Sequence, residues 1–133
     1  MGLLNNIFGN KETDATKEEK TSFLNFIPLT SSEELQNIKE LSATTTVLIF
    51  KHSTRCGISN MVIKQFEKLF KEEHKQLKVY YLDLLNYRNV SDEIAEMFQV
   101  MHQSPQLLVI KNGVSVYNAS HSDINSVNLT TFI

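Results

Sequence analysis

The sequence has little cysteine and no long apolar run. Cys56 is the single cysteine among 133 residues, so the chain cannot form an internal disulfide bond. One unpairable thiol, together with an amino terminus that lacks a secretion signal, is typical of a reducing compartment, so we expect a cytoplasmic protein with a free thiol. No apolar stretch approaches the roughly 20 residues that cross a bilayer, so no membrane association is expected.

Basic residues are not in excess either. The chain has 13 Lys and Arg against 15 Asp and Glu, which gives a formal net charge of −2. Nucleic acids and anionic membranes select clustered positive charge, so neither is an expected partner. A chain of this length can bury one hydrophobic core, and we expect a monomer.

The amino-terminal segment differs in composition from the rest of the chain. Residues 9–22 are polar and charged and contain no large apolar side chain. Such a segment cannot bury enough apolar surface to fold. The sequence therefore predicts a flexible leader over residues 1–22 and a folded domain over residues 23–133.

Apolar patterns within the domain alternate between strand and helix types. The continuous run "TTVLIFK" indicates a central strand buried on both faces, and Asn112-Gly113 between two apolar runs indicates a hairpin. Helices are expected after a Thr30 or Ser31 cap, after Cys56, from Ser91, and in the closing "SDINSVNLTTFI". With an edge strand in "SFLNFIPL" and another strand in "LKVYYLD", the order predicts an α/β fold, a mixed four- or five-stranded sheet with helices on both faces.

Cys56 lies where the central strand ends and a helix is predicted to begin. Ligands bind at this position in open α/β sheets, and unpaired N–H groups at a helix start favour a thiolate. We expect donors from the Ile58 and Ser59 N–H groups and the Ser59 hydroxyl, with Arg55 adding charge and Gly57 permitting close approach of a partner. A lone cysteine is often a small buried apolar residue, but these polar neighbours favour a functional thiol.

Two segments together resemble the thioredoxin fold. One is the strand followed by Cys-x-x-Ser at a helix start, and the other is "HQSPQLLVIKNG". The second is similar to the loop in which thioredoxins and glutaredoxins place a cis-proline facing the active cysteine. The resemblance implies a cis bond between Ser104 and Pro105, with the Ser104 backbone free to pair with a bound peptide or thiol.

The segments "KHSTRCGIS" and "NASHSDI" are similar to YtxJ-type monothiol bacilliredoxins, whose usual motif is Thr-Cys-Pro-Ile-Ser. Here Arg55 stands between Thr54 and Cys56, and Gly57 replaces proline. The resemblance implies thiol–disulfide exchange with bacillithiol as co-substrate, or with client proteins that carry bacillithiol, and no permanently bound cofactor. By the same match, Cys56 is the nucleophile and Ser59 stands where a dithiol protein keeps its resolving cysteine.

The same resemblance implies a substrate groove around the cysteine. Three residues of the preceding loop would line the approach, namely Lys51, Ser53 and Thr54. Three residues before and within the last predicted helix would contact the malate or sugar of bacillithiol, namely Ser120, His121 and Asp123.

Other functions fit parts of the sequence. Cys-Gly-Ile-Ser differs by one residue from the Cys-Gly-Phe-Ser of monothiol glutaredoxins, which carry an iron–sulfur cluster between two protomers. Those proteins have a Gly-Gly before their acidic glutathione-binding residues, whereas this chain has "ASHSD". A non-catalytic thioredoxin-fold adaptor and a cysteine hydrolase using Cys56, His121 and Asp123 are further alternatives. No spacing such as C-x-x-C or H-x-x-x-H predicts a metal site.

Overall fold

A five-stranded mixed sheet forms the centre of the protein. The computed structural model describes residues 23–133, so the predicted leader lies outside the described residues. In spatial order β1-β3-β2-β4-β5, the first three strands run parallel, and β4 is antiparallel to both β2 and β5. The strands are β1 (Phe26–Pro28), β2 (Val47–His52), β3 (Lys78–Asp83), β4 (Gln106–Lys111) and β5 (Val114–Ser120).

Within residues 23–133, three α-helices and three short 3₁₀ segments cover the sheet. The helices are α1 (Ser32–Leu41), α2 (Gly57–Leu69) and α3 (Arg88–Phe98), and the 3₁₀ segments are Glu72–His74, His121–Ser126 and Leu129–Phe132. The predicted cap of α1 is present, because the Ser31 hydroxyl accepts the Glu34 N–H. Among residues 23–133, none of the helices has the length and apolar content needed to cross a bilayer.

Two predicted helices differ from those in the structure. The closing segment forms two 3₁₀ segments rather than one α-helix, because its Asn, Ser, Thr and Val residues are poor helix formers and Asn128 accepts the Thr130 N–H in a local turn. The helix expected to begin at Ser91 begins at Arg88, after an N-cap, Tyr87, that makes no side-chain capping bond. Ser91 instead lies buried inside α3.

Side chains of β2 alternate between two separate cores. Ile49 packs in the core formed with α1 and α3, whereas Phe50 packs in the core formed with α2 and the carboxyl-terminal 3₁₀ segments. Because neighbouring strand residues face opposite sides of a sheet, Lys51 lies on the α3 side and His52 on the α2 side. This alternation decides the roles of the two polar residues that end β2.

The amino-terminal part of α2 is only partly buried. Val62 and Phe66 are buried against the sheet, but Ile58 and Met61 are each 56% exposed. The first turn of α2 extends past the edge of the core, where the loop carrying Cys56 begins.

The predicted hairpin joins β4 to β5. Asn112 and Gly113 both adopt left-handed backbone conformations (φ 54° and 79°), as a two-residue type I′ turn requires. Their N–H groups donate to the Ser42 carbonyl and hydroxyl, each at 2.8 Å, so the turn is tied to the end of α1. The hairpin keeps the start of β4 beside the end of β2.

Candidate functional site

Cys56 joins the end of the β2 loop to the start of α2. It is the N-cap residue of α2, with an extended backbone (φ −100°, ψ 121°) and no capping bond from its side chain. Its N–H donates to the Ser53 carbonyl at 3.1 Å, and its own carbonyl accepts the Asn60 N–H at 3.0 Å. The thiol is free and the residue is half-buried. The sulfur is thus held in an ordered turn without being sealed inside the core.

Unpaired backbone donors surround this position. The N–H groups of Gly57, Ile58 and Ser59 have no acceptor within residues 23–133, and the first turn of α2 contains no acidic residue. Unpaired N–H groups at the start of a helix favour an anion at the N-cap. These donors are available to a thiolate at Cys56. Arg55 is exposed, so water screens its contribution.

The Ser59 side chain is committed to holding the loop in place. Ser59 is fully buried, and its Oγ accepts the Ser53 N–H at 3.1 Å and lies 2.7 Å from His52 Nδ1. Burial lowers the pKa of His52, which favours the neutral form of the ring. That this hydroxyl also donates to a Cys56 thiolate stays a prediction, and the contacts with His52 and Ser53 give Ser59 a second role in fixing the loop.

Lys51 is placed away from the approach to Cys56. Its side chain is fully buried on the α3 side of the sheet, with Nζ 3.0 Å from His102 Nδ1. Burial lowers the pKa of Lys51 to about 8, and the charge of Asp92 partly offsets this effect. A residue without accessible surface cannot line a groove, so the prediction for Lys51 is corrected. Its role is to tie β2 to the loop that precedes β4.

That loop carries the proline. The Ser104–Pro105 peptide bond is cis, as the resemblance implies. Lys51 is paired with Gln106 across β2 and β4, so Pro105 comes alongside His52 and the loop lies next to the turn that carries Cys56. The Gln106 side chain holds the loop, donating to the Met101 carbonyl at 3.0 Å. The Ser104 hydroxyl is buried and has no partner within the described residues.

The residues after β5 adjoin the same loop. Ser120 pairs with Gln106, and the His121 N–H donates to the Pro105 carbonyl at 3.0 Å. His121 has a left-handed backbone (φ 56°), and both its side chain and that of Asp123 are exposed. The structure therefore brings Ser120 and His121 together with the proline loop, and Asp123 follows two residues later.

A polar pocket lies on the other side of Cys56. It has a volume of about 370 Å³ and is lined by Thr54, Arg55, Leu85, Asn86 and Arg88. Thr54 and Arg55 were predicted at the site, whereas Arg88 was not. Its place in the segment that follows the carboxyl end of β3 is the sequence signal that indicates it, because parallel strands end at one edge of the sheet.

Exposed apolar side chains occur on both segments that adjoin the thiol. Ile58 and Met61 extend from α2, and Met101, in the proline loop, is 80% exposed. These exposed side chains are available for contact with a partner protein.

These features define the class of protein. Two solved thioredoxins share the fold. The one from Malassezia sympodialis is 17% identical with a TM-score of 0.67, and the match covers 81% of this chain and 90% of that one. The one from Schistosoma mansoni is 20% identical with a TM-score of 0.65, and the match covers 84% of this chain and 99% of that one. A structure described only as a candidate oxidoreductase with a thioredoxin fold is 35% identical over 79% of this chain and 90% of its own, with a TM-score of 0.68. The protein has a thioredoxin fold.

The family follows from the sequence itself. The family model for monothiol bacilliredoxin BrxC matches residues 27–129, which is most of the chain. The chain therefore belongs to the monothiol bacilliredoxin BrxC family. The fold class and the family that the sequence resemblance implied are both confirmed.

Proposed function

We propose that the protein is a thiol–disulfide oxidoreductase that removes bacillithiol from mixed disulfides through Cys56. The observation that carries this proposal is the position of Cys56, a free and half-buried thiol at the N-cap of α2 beside the cis-proline loop. Family membership supports thiol redox chemistry. The choice of bacillithiol rests on the family and on the resemblance of the segments around Cys56 and His121.

The proposed reaction is an exchange of one disulfide for another. The Cys56 thiolate attacks the bacillithiol sulfur of a modified client, forming a Cys56–bacillithiol disulfide and releasing the client as a thiolate. A second bacillithiol thiolate then attacks the bacillithiol sulfur of this adduct, releasing Cys56 and forming bacillithiol disulfide, which an external reductase reduces. Because Cys56 is the single cysteine of the chain, no internal thiol can resolve the adduct.

Two backbone features support this chemistry. The unpaired N–H groups of Ile58 and Ser59 stabilise Cys56 both as the attacking thiolate and as the leaving group. The Ser104 N–H also has no partner within residues 23–133, so it is free to pair with the backbone of a bound client as an added strand.

The surfaces around Cys56 divide between the two substrates. The exposed side chains Ile58, Met61 and Met101 suit an apolar segment of a client protein. Polar surface is supplied by Ser53, Thr54, Ser120, His121 and Asp123, all at least partly exposed, and the sugar of the small thiol is proposed to lie against it. A cytoplasmic location, where low-molecular-weight thiols keep Cys56 reduced, is part of the proposal.

The test is to incubate the reduced protein with bacillithiol disulfide and with glutathione disulfide in parallel and to read the intact mass. We expect one bacillithiol adduct per chain, formed faster than the glutathione adduct and absent in Cys56→Ser. A glutathione adduct formed equally fast would contradict bacillithiol specificity. A coloured dimer after anaerobic reconstitution, with neither adduct formed, would favour an iron–sulfur carrier instead.

A further inference from the structure

The polar pocket next to Cys56 contains two arginines. Arg55 directly precedes the thiol, and Arg88 enters the same pocket from the start of α3, with Thr54 and Asn86 as polar neighbours. The volume of about 370 Å³ falls within the range of about 300–1,000 Å³ typical of small-molecule sites. Because Arg55 is the neighbour of Cys56 in the chain, the lining of the pocket ends one residue before the reactive cysteine.

The positive charge of this pocket is not balanced by the protein. Within residues 23–133, neither Arg55 nor Arg88 forms an ion pair. Asp83, which ends β3 beside the pocket, instead accepts the Leu85 N–H at 3.2 Å and the Asn86 amide at 2.7 Å. In the part of the chain that the structure describes, no carboxylate lines the pocket. Both guanidinium groups are therefore available to an external anion.

The arrangement is electrostatically unfavourable in the absence of a ligand. Arg88 is the first residue of α3, a helix with no acidic residue in its first turn and no side-chain cap. A cation at a helix amino terminus opposes the helix dipole, and Arg55 adds a second charge of the same sign. Local departures from favourable electrostatics are expected where function requires them.

We propose that Arg55 and Arg88 bind the dicarboxylate group of the small thiol whose sulfur is exchanged at Cys56. Guanidinium groups pair with carboxylates through two parallel hydrogen bonds, which a ligand with two carboxylates would use in full. In bacillithiol this group is the malate. Its position would be on the β3 side of Cys56, away from Asp123, whose carboxylate would repel it. This inference rests on the proposed function and assigns the subsite that selects the thiol.

The experiment measures the rate of Cys56 adduct formation by intact mass in Arg88→Gln, Arg88→Lys and Arg55→Gln. Lys78→Gln is the control, since it removes the same charge from an exposed residue at the opposite end of β3. Bacillithiol disulfide is the dicarboxylate probe, coenzyme A disulfide is the phosphate probe, and 2-hydroxyethyl disulfide is the uncharged probe. Thermal unfolding of each variant checks that it remains folded.

We expect each arginine-to-glutamine change to slow the bacillithiol reaction at least about tenfold and the uncharged reaction less than twofold. Arg88→Lys should retain part of the rate, and Lys78→Gln should retain all of it. Three results would overturn the subsite. They are equal slowing with all probes, slowing confined to coenzyme A disulfide, and no slowing with bacillithiol disulfide. If wild type forms no bacillithiol adduct, the proposed function fails instead, independently of either arginine.

Discussion

Ser59 Oγ lies 2.7 Å from His52 Nδ1 and 3.1 Å from the Ser53 nitrogen. One buried hydroxyl thus connects the end of β2, the loop before Cys56 and the first turn of α2. Ser59 occupies the position at which a dithiol relative would keep its resolving cysteine, but here its contacts are structural. The bonds fix the turn that presents Cys56.

Replacing Ser59 with alanine should destabilise the protein. The change leaves the Ser53 N–H and the buried His52 Nδ1 without partners, so the free energy of unfolding should fall by about 1–3 kcal/mol. Urea denaturation measures the loss. Ser122→Ala, at an exposed site, is the control and should change stability by less than about 0.5 kcal/mol. A Ser59→Ala protein as stable as wild type would show that the hydroxyl does not hold the loop.

Lys51 should make stability depend on pH in the alkaline range. Its pKa in the folded protein is about 8, below the ordinary value of 10.5, so between these values the unfolded chain binds more protons and stability rises with pH. Lys51→Met should abolish this rise and stabilise the protein at pH 7 by about 1–3 kcal/mol.

Urea denaturation between pH 7 and 9.5 tests this prediction. The upper limit avoids Tyr81, whose pKa is raised by burial and whose ionisation would lower stability at higher pH. Lys78→Met, at an exposed position, is the control and should keep the wild-type slope. A flat wild-type profile over this range would rule out a buried ammonium at Lys51.

Replacing Gly57 or Gly113 with alanine should change the free energy of unfolding in opposite directions. A Cβ at Gly57 would meet no atom within 4 Å, so Gly57→Ala should stabilise by about 0.4–1 kcal/mol by restricting the unfolded chain. Gly113 has a φ of 79°, so Gly113→Ala should destabilise by at least about 1 kcal/mol. Thermal and urea unfolding of the two variants measure both changes in stability. Destabilisation by Gly57→Ala would mean that the start of α2 needs glycine.

Arg88→Gln should make the protein more stable but slower in the exchange reaction. Removing a cation from the first turn of α3 should raise the free energy of unfolding by about 0.3–1 kcal/mol, because the charge opposes the helix dipole. The same variant is expected to exchange bacillithiol more slowly. Urea denaturation at low and high salt measures the effect, which salt should reduce. A loss of stability in this variant would mean that Arg88 has a structural partner.

Much of this architecture could be predicted from local patterns. The continuous apolar run of β2, the Asn112-Gly113 turn and the position of Cys56 at a strand–helix junction each reflect short-range chemistry. The side-chain direction of Lys51 was missed because a strand buried on both faces lacks the polar–apolar alternation that distinguishes its two sides. Arg88 was missed because the N-cap of α3, Tyr87, has no capping side chain that marks the first turn of the helix. Such positions depend on tertiary contacts.

The most direct test uses a client protein that carries bacillithiol on a single cysteine. Wild-type protein should remove the bacillithiol, with a transient adduct of the same mass on Cys56, whereas Cys56→Ser should leave the client modified. Both reactions are followed by intact mass, with equal thermal unfolding of the two proteins as the check on folding. Removal of bacillithiol by Cys56→Ser at the wild-type rate would contradict the account.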